Sequence, residues 1–344
     1  EDIREKRLSN IGVERAELTG IFDRDDNDSS DAHGQKVSKT AHSSDFFVRN
    51  DRENKERLLE VLGRFLEIVF GVTVHTPTLD ESGMYAAVSA ANKSACLSRQ
   101  VGAAIYSKSG ELLSVGWNDV PKAGGGLYSD DDGKNDHRCF KWRDCSCHND
   151  RKKELLYKEI YEALLVGIPS KDGPKSLLTK DATRSMVEAA IKTTAVKSLI
   201  EYSRSIHAEM EAIVSAARLG KLGLVGAKLY TTTFPCHNCA RHIVAAGIKE
   251  VYYIEPYSKS LAIELHGDAI SLTKKKKMVS FLQYEGVGPN VSMKLFQAHD
   301  ERKEHGKARI YDKKSADPVL PPPLDGFTTH EKRVIERIQM IEAD

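Results

Sequence analysis

The chain has 344 residues, with 51 basic against 50 acidic side chains and a formal net charge of +1. Long-range steering toward a polyanion is therefore weak, and neither a basic nucleic-acid coat nor an acidic tail dominates. At 40% hydrophobic and 29% charged the composition is globular, and the most apolar helix-like stretch, Leu58 to Val74, is broken by Glu60, Arg64 and Glu67, which excludes a membrane span.

In chain order, the first residues, EDIREKRLSN, carry no Met and no apolar leader. No secretory signal is expected, the address is read as cytoplasmic, and the chain reads as a fragment of something longer. Phe22 to Gln35 holds five Asp and no apolar period and reads as a solvated loop. Arg52 to Phe70 repeats apolar residues at the spacing of an amphipathic helix, and Pro77 marks a linker, so a domain boundary is placed at Thr76: residues 1–76, then 77–344. From Ser82 helix and strand patterns alternate, the mark of a sheet covered by helices. MYAAVSAANKSAC reads as an Ala-rich helix that buries Cys96 as a small hydrophobe. VGAAIYS and ELLSVGWN read as strands joined at Lys108 to Gly110. Residues 119–203 form an insertion with an AGGG start, an acidic SDDDG tip and two helical stretches. GAKLYTTTF and EVYYIEP flank the helix CHNCARHIVAAG, with Gly247 as its C-cap. VLPPPLDG reads as a stiff polyproline connector before a last helix from about Thr329.

The strongest chemical signal is His207-Ala-Glu209 followed by Pro235-Cys236-His-Asn-Cys239. Composition alone gives Pro-Cys-x-x-Cys in only about three of a thousand such chains, and H-x-E…P-C-x-x-C is the signature of zinc deaminases. Four of the six cysteines fall in short clusters, which suits metal better than disulfides in a reducing compartment. Cys236 and Cys239, three apart at a helix start, face one way, and the helix dipole favours their thiolates. With His207 they make three zinc ligands and leave a fourth position for water. Glu209 is not a ligand in this reading. It takes the water's proton, protonates the ring nitrogen N3, and later passes a proton to the departing amine.

The runs SRQVGAAIYSKSGELLSVGWNDVPKAGGG, HAEMEAI and TTTFPCHNCARHIVAAGIKEVYY resemble deoxycytidylate deaminases, roughly from Ser82 to Tyr257. EPYSKSLAIELHGDAI and FLQYEGVGPNVSMKLF further resemble the anti-phage dCTP deaminases of bacteria, which join a P-loop kinase-like domain to a deaminase domain. RDDNDSSDAHGQKVSKTAHSSDFFV is similar to the tail of that kinase-like domain, although no GxxxxGK[ST] occurs. The resemblance implies an α/β fold of cytidine deaminase type: three layers, α/β/α, around a mixed central sheet, preceded by a partial kinase-like helical region. It implies hydrolytic deamination of free dCTP and dCMP, with depletion of dCTP as phage defence. The rival readings are a housekeeping dCMP deaminase, a polynucleotide deaminase and a non-catalytic zinc module. A homo-oligomer and restraint by a small inhibitory RNA are implied as partners, with no membrane.

By the same resemblance Asn118 lies beside the sugar, able to bond the 3′-hydroxyl, or else it closes a tight turn. Arg99 is the phosphate candidate, its guanidinium fork matching phosphate oxygens, against the alternative of a surface salt bridge. Lys259 reaches an outer phosphate or is simply solvated. Within the insertion His137, Cys139, Cys145, Cys147 and His148 stand in twelve residues, which suggests a second, closed zinc site on Cys139, Cys145 and Cys147 with the fourth ligand, His148 or His137, left open, against the alternative of an unliganded reduced cluster. The acidic tip is a candidate for Mg2+ carried in on a triphosphate.

Overall fold

The computed structural model describes residues 2–14, 17–18, 20–21, 43–50, 55–167, 181–257, 259–299, 301–309, 313–320, 331–332, 334–336 and 338. The acidic stretch expected as a loop and most of the polyproline run lie outside these residues. The described chain forms two compact units, one from residues within 1–22, 43–81 and 285–344, the other from residues 82–284.

In the first unit helix α1 (Asp2–Asn10) precedes the short strand β1 (Phe46–Phe47) and helix α2 (Lys55–Val69), the amphipathic period read from the sequence. Ile68 of α2 is buried among Val287, Val291 and Leu295, with Phe65 and Val69 packed on the same cluster. Phe46 stacks on Phe65 with ring centroids 4.1 Å apart. The buried carboxylate of Glu81 accepts from both Nη atoms of Arg64 (2.8 and 2.9 Å), from Val287 N and from Thr78 N. Burial pushes its pKa up, but the guanidinium and backbone donors together hold it below the usual carboxylate range.

The second unit is built on a six-stranded sheet. Helix α3 (Leu79–Ala91) leads into β2 (Gly102–Tyr106) and β3 (Leu112–Trp117). The insertion then carries α4 (His148–Gly167) and α5 (Asp181–Ile191). After it come α6 (Ala208–Arg218), β4 (Lys228–Thr233), α7 (His237–Ala245), β5 (Glu250–Glu255), α8 (Ala262–His266), β6 (Ile270–Ser271) and β7 (Val279–Gln283). In the first unit β8 (Gly286–Val287) pairs antiparallel with β1, helix α9 (Pro289–Phe296) follows, and β9 (Lys303–Glu304) pairs with β10 (Lys307–Ala308).

The strand order is β3-β2-β4-β5-β7-β6. β3, β2 and β4 are mutually antiparallel, whereas β4, β5, β7 and β6 run parallel. The sheet is therefore mixed, as expected. Two glycines show that helices cover both faces. A Cβ on Gly102 would meet Ala87 O of α3 at 2.0 Å, and one on Gly116 would meet Ala208 O of α6 at 2.3 Å. Gly116 lies opposite Ala103, and Ala103 and Gly102 point to opposite faces by the period of a strand. Hence α3 lies on one face and α6 on the other, giving the expected three α/β/α layers. The α6 face holds the main core, in which Ala103, Leu229, Val251 and Phe281 pack against Ala212, Cys239 and Ile243.

One expectation is corrected. Cys96 is not in a helix: α3 ends at Ala91, where Lys93 N and Ser94 N turn back onto Ala90 O and Ala91 O, and Cys96 sits half-buried beyond the turn with its N–H on Ser94 Oγ.

Candidate active site

Both halves of the chemical motif stand at helix N-termini. His207 is the N-cap residue of α6, extended at φ −79° and ψ 153°, and its side chain makes no cap hydrogen bond. The ring is thus free to turn toward α7. Cys236 is the N-cap of α7 and its sulfur accepts from Cys239 N at 3.5 Å, the orphan-donor geometry that favours a thiolate there. The parallel pairing of β4 and β5 sets these residues at the carboxyl ends of strands, where open α/β sheets build their sites.

The geometry gathers a donor set. His207 Nδ1 lies 3.3 Å from Cys236 Sγ and 3.3 Å from Cys239 Sγ, and the three ligand atoms lie within 4.8 Å of one another. Tetrahedral zinc with ordinary Zn–S and Zn–N bonds separates N and S ligands by about 3.6 Å, so one imidazole and two thiols at these spacings fit that ion. Cys236 and Cys239 are buried. Hydrogen bonding from the Cys239 thiol, against the opposing cost of burial and with help from His207, draws the Cys236 thiol down to about 4. The same hydrogen bond and burial push Cys239 far up. The bond to Cys236 raises His207 although burial opposes it.

Glu209, on the first turn of α6, is buried and stands with Oε2 3.4 Å from Cys239 Sγ. Burial raises its carboxyl above the usual range, against the pull of His207. It therefore sits beside the donor set without belonging to it.

Asn118 is buried at the end of β3. Its Oδ1 accepts from Val101 N and its Nδ2 donates to Arg99 O, both at 2.7 Å. The amide thus clamps the segment that carries Arg99, and one N–H and one lone pair remain for a ligand. Arg99 is half exposed, with Nη1 3.7 Å from Glu255 Oε2 and its guanidinium 6.0 Å from the Tyr257 ring. Burial first, and the Cys236 thiol next, raise the Tyr257 hydroxyl. Tyr257 and Glu255 were not singled out from the sequence, although Glu255 ends the β5 strand and Tyr257 follows it, at the carboxyl end that lies at the site. Lys259 is exposed in the turn beyond them.

The insertion donors are not gathered. Among the described residues the triad of His207, Cys236 and Cys239 is the only group of three donors within ligand distance. Cys145, at φ 54°, is exposed with its sulfur against Arg143 O, so the left-handed turn swings it outward. Cys147 Sγ lies 3.6 Å from Ser98 Oγ. Burial raises the Cys139 thiol, with Cys96 and Cys147 in electrostatic reach. Burial and neighbouring guanidiniums hold His148 low. His137 instead bonds Tyr128 Oη through Nδ1 at 3.3 Å. The acidic tip, expected as a Mg2+ seat, is engaged internally: Asp132 takes Lys122 at 2.8 Å, and Asp130 takes Arg138.

Comparison with known proteins places this arrangement. The family described as the cytidine and deoxycytidylate deaminase zinc-binding region matches residues 77–255. The chain belongs to this family. Zinc is therefore the metal implied for the triad, and the chemistry is that of a deaminase. The deoxycytidylate deaminase of Enterobacteria phage T2 is 31% identical over 170 residues, which is 49% of this chain and 75% of that protein. The ComE operon protein 2 of Bacillus subtilis is 47% identical over 55 residues, 16% of this chain and 29% of that protein. A solved dCMP deaminase of cyanophage S-TIM5, in complex with dCMP and dUMP, covers 61% of this chain and 98% of its own at 20% identity, with a TM-score of 0.34. No helix among the described residues is long and apolar enough to cross a membrane.

Proposed function

We propose that the chain hydrolytically deaminates free deoxycytidine nucleotides, dCTP and dCMP, to the deoxyuridine forms. The observation that carries this reading is the buried Glu209 carboxyl beside, but outside, a His/Cys/Cys donor set. His207, Cys236 and Cys239 would hold zinc, which would supply Lewis-acid activation of a water. Glu209 receives one proton of the attacking water and donates it to N3 of the pyrimidine, then takes the remaining proton from the new C4 hydroxyl and passes it to the amine, which leaves as ammonia. Asn118 holds the Arg99 segment in place and offers its spare amide N–H to the sugar, while Arg99 pairs with a phosphate, exchanging its long contact to Glu255 for the stronger charge-assisted fork.

For the role, depletion of dCTP in phage defence is the reading favoured by the resemblance of EPYSKSLAIELHGDAI and FLQYEGVGPNVSMKLF to anti-phage dCTP deaminases, and of residues 24–48 to the tail of a kinase-like domain. A housekeeping dCMP deaminase is the second reading, supported by the phage relatives that bear the deoxycytidylate deaminase name. A competition at equal cytosine concentration among dCTP, dCMP, CTP and a single-stranded oligonucleotide, read by the uracil product formed from each, separates them. Turnover of dCTP is the expected result. Turnover of dCMP alone moves the conclusion to the housekeeping enzyme, and uracil in the oligonucleotide overturns both.

A further inference from the structure

We propose that Arg143 and Arg204, gathered on the ring of Trp142, form a seat for phosphate groups whose ligand is the outer phosphates of a nucleoside triphosphate. The Arg143 guanidinium lies 4.1 Å and that of Arg204 3.7 Å from the Trp142 ring centroid, both within cation–π range. Two like charges on one ring repel each other, yet among the described residues no carboxylate lies within ion-pair distance of either. Their neighbours in the insertion are compensated: Arg138 by Asp136 and Asp130, Arg151 by Asp144. Positive charge is thus left open at this one ring.

Three further features converge there. Arg143 and Cys145 adopt φ of 53° and 54°, left-handed conformations that non-glycine residues rarely take, and strain of this kind collects at ligand sites. His148, whose ring is 5.5 Å from Trp142, has a buried Nε2 with no hydrogen-bond partner, and its imidazole feels the charges of Arg151, Arg204 and Arg143, opposed by Asp144. A buried polar atom without a partner is rare enough to point to a ligand. Arg204 donates to His137 O at 3.0 Å and to the Cys139 side chain, which fixes the guanidinium and leaves the remainder of its five N–H groups for a ligand.

The seat borders the site. Arg204 stands three residues before His207, and Cys147 of the same turn touches Ser98, the neighbour of Arg99. Two planar forks, pre-oriented by stacking, suit an anion with several oxygens better than one with a single charge. The inference deepens the deaminase reading by naming the phosphates beyond the one assigned to Arg99; the seat itself rests on the insertion's geometry.

The test titrates inorganic tripolyphosphate into the zinc-loaded full chain by calorimetry. Arg143→Asn keeps a residue that tolerates the left-handed backbone and, being exposed, is expected to fold; Arg204→Ala is the second variant, with thermal melts recorded for both. Each is expected to weaken tripolyphosphate binding at least tenfold, and Arg143→Lys to recover only part of it, because an ammonium lacks the fork. If tripolyphosphate competes with dCTP for turnover, the seat holds the substrate's own tail. If it binds without competing, the seat holds a second triphosphate, and the proposal stands in that form. Unchanged affinity in folded Arg143→Asn overturns it. Wild-type chain that binds tripolyphosphate but releases no ammonia sinks the deaminase reading and leaves the seat.

Discussion

Glu209 and Cys236 are both buried within one donor cluster, yet they are expected to fail differently when changed. Glu209→Gln keeps volume and hydrogen-bonding capacity but cannot carry a proton, so turnover should fall at least about 10³-fold while zinc content stays at the wild-type level. Cys236→Ser exchanges a soft thiolate for a hydroxyl and should lose zinc and turnover together. Metal analysis alongside an ammonia assay reads both; near-normal turnover in the Gln variant removes Glu209 from the acid/base role. The triad was legible in the sequence because its spacing is local to two helix starts. Asn118 was half legible. Its amide reaches Val101 and Arg99 on a distant segment, a clamp between two stretches of chain and not the closure of its own turn, while the sugar contact stays a proposal. Asn118→Ala should therefore loosen the Arg99 segment as well as weaken sugar recognition, raising KM for dCTP and lowering Tm together. The Arg99, Glu255 and Tyr257 grouping was not legible at all, since it depends on which strands become neighbours.

The elements themselves follow from patterning. The runs read as strands became β2, β3, β4 and β5, and α7 closes at Gly247, whose φ of 76° and N–H to Val244 O make it the expected cap. Period could not show how close the helices lie. Gly116 does: the α6 backbone passes so near β3 that a methyl group there would meet Ala208 O at 2.3 Å and Ala212 N at 2.4 Å. These are backbone atoms of the helix that begins at His207, and they cannot yield as a flexible side chain would. Gly116→Ala should therefore push α6 outward, costing about 1–3 kcal/mol, and should weaken zinc retention although Gly116 touches no ligand. A chelator titration compared with wild type checks this, and unchanged zinc affinity would show that α6 can shift without moving His207. The insertion was the least legible element: of five donors read from sequence as one cluster, a left-handed turn carries Cys145 outward while Cys139 and Cys147 stay in electrostatic reach.

On the scale of the whole chain, stability has an acid-sensitive component in the insertion. Asp136, fully buried, is held by Arg138 and Lys141. Hydrogen bonding from Arg138 keeps its pKa well below the usual range in spite of burial. A depressed folded-state pKa means that this contribution is complete above the unfolded carboxylate value of about 3.9 and fades as pH falls below it. Asp136→Asn should accordingly cost about 3 kcal/mol near neutrality, with the gap to wild type closing below about pH 4; urea melts across pH 3–7 test this, and a gap independent of pH refutes it. The two units also differ in how the sequence composes them. Among the described residues the sheet unit is one stretch of chain from residue 82 to 284, whereas the other needs both flanks: β1 pairs with β8, and Ile68 buries itself against Val287, Val291 and Leu295. On the ribosome these partners are separated by the time needed to make everything between them, on the order of 10–50 s at typical elongation speeds. Through that interval the apolar stripe of α2 waits without its cover, so a nascent chain stalled before residue 287 should draw chaperones to its early segment, while the deaminase sheet behind it already has all of its strands.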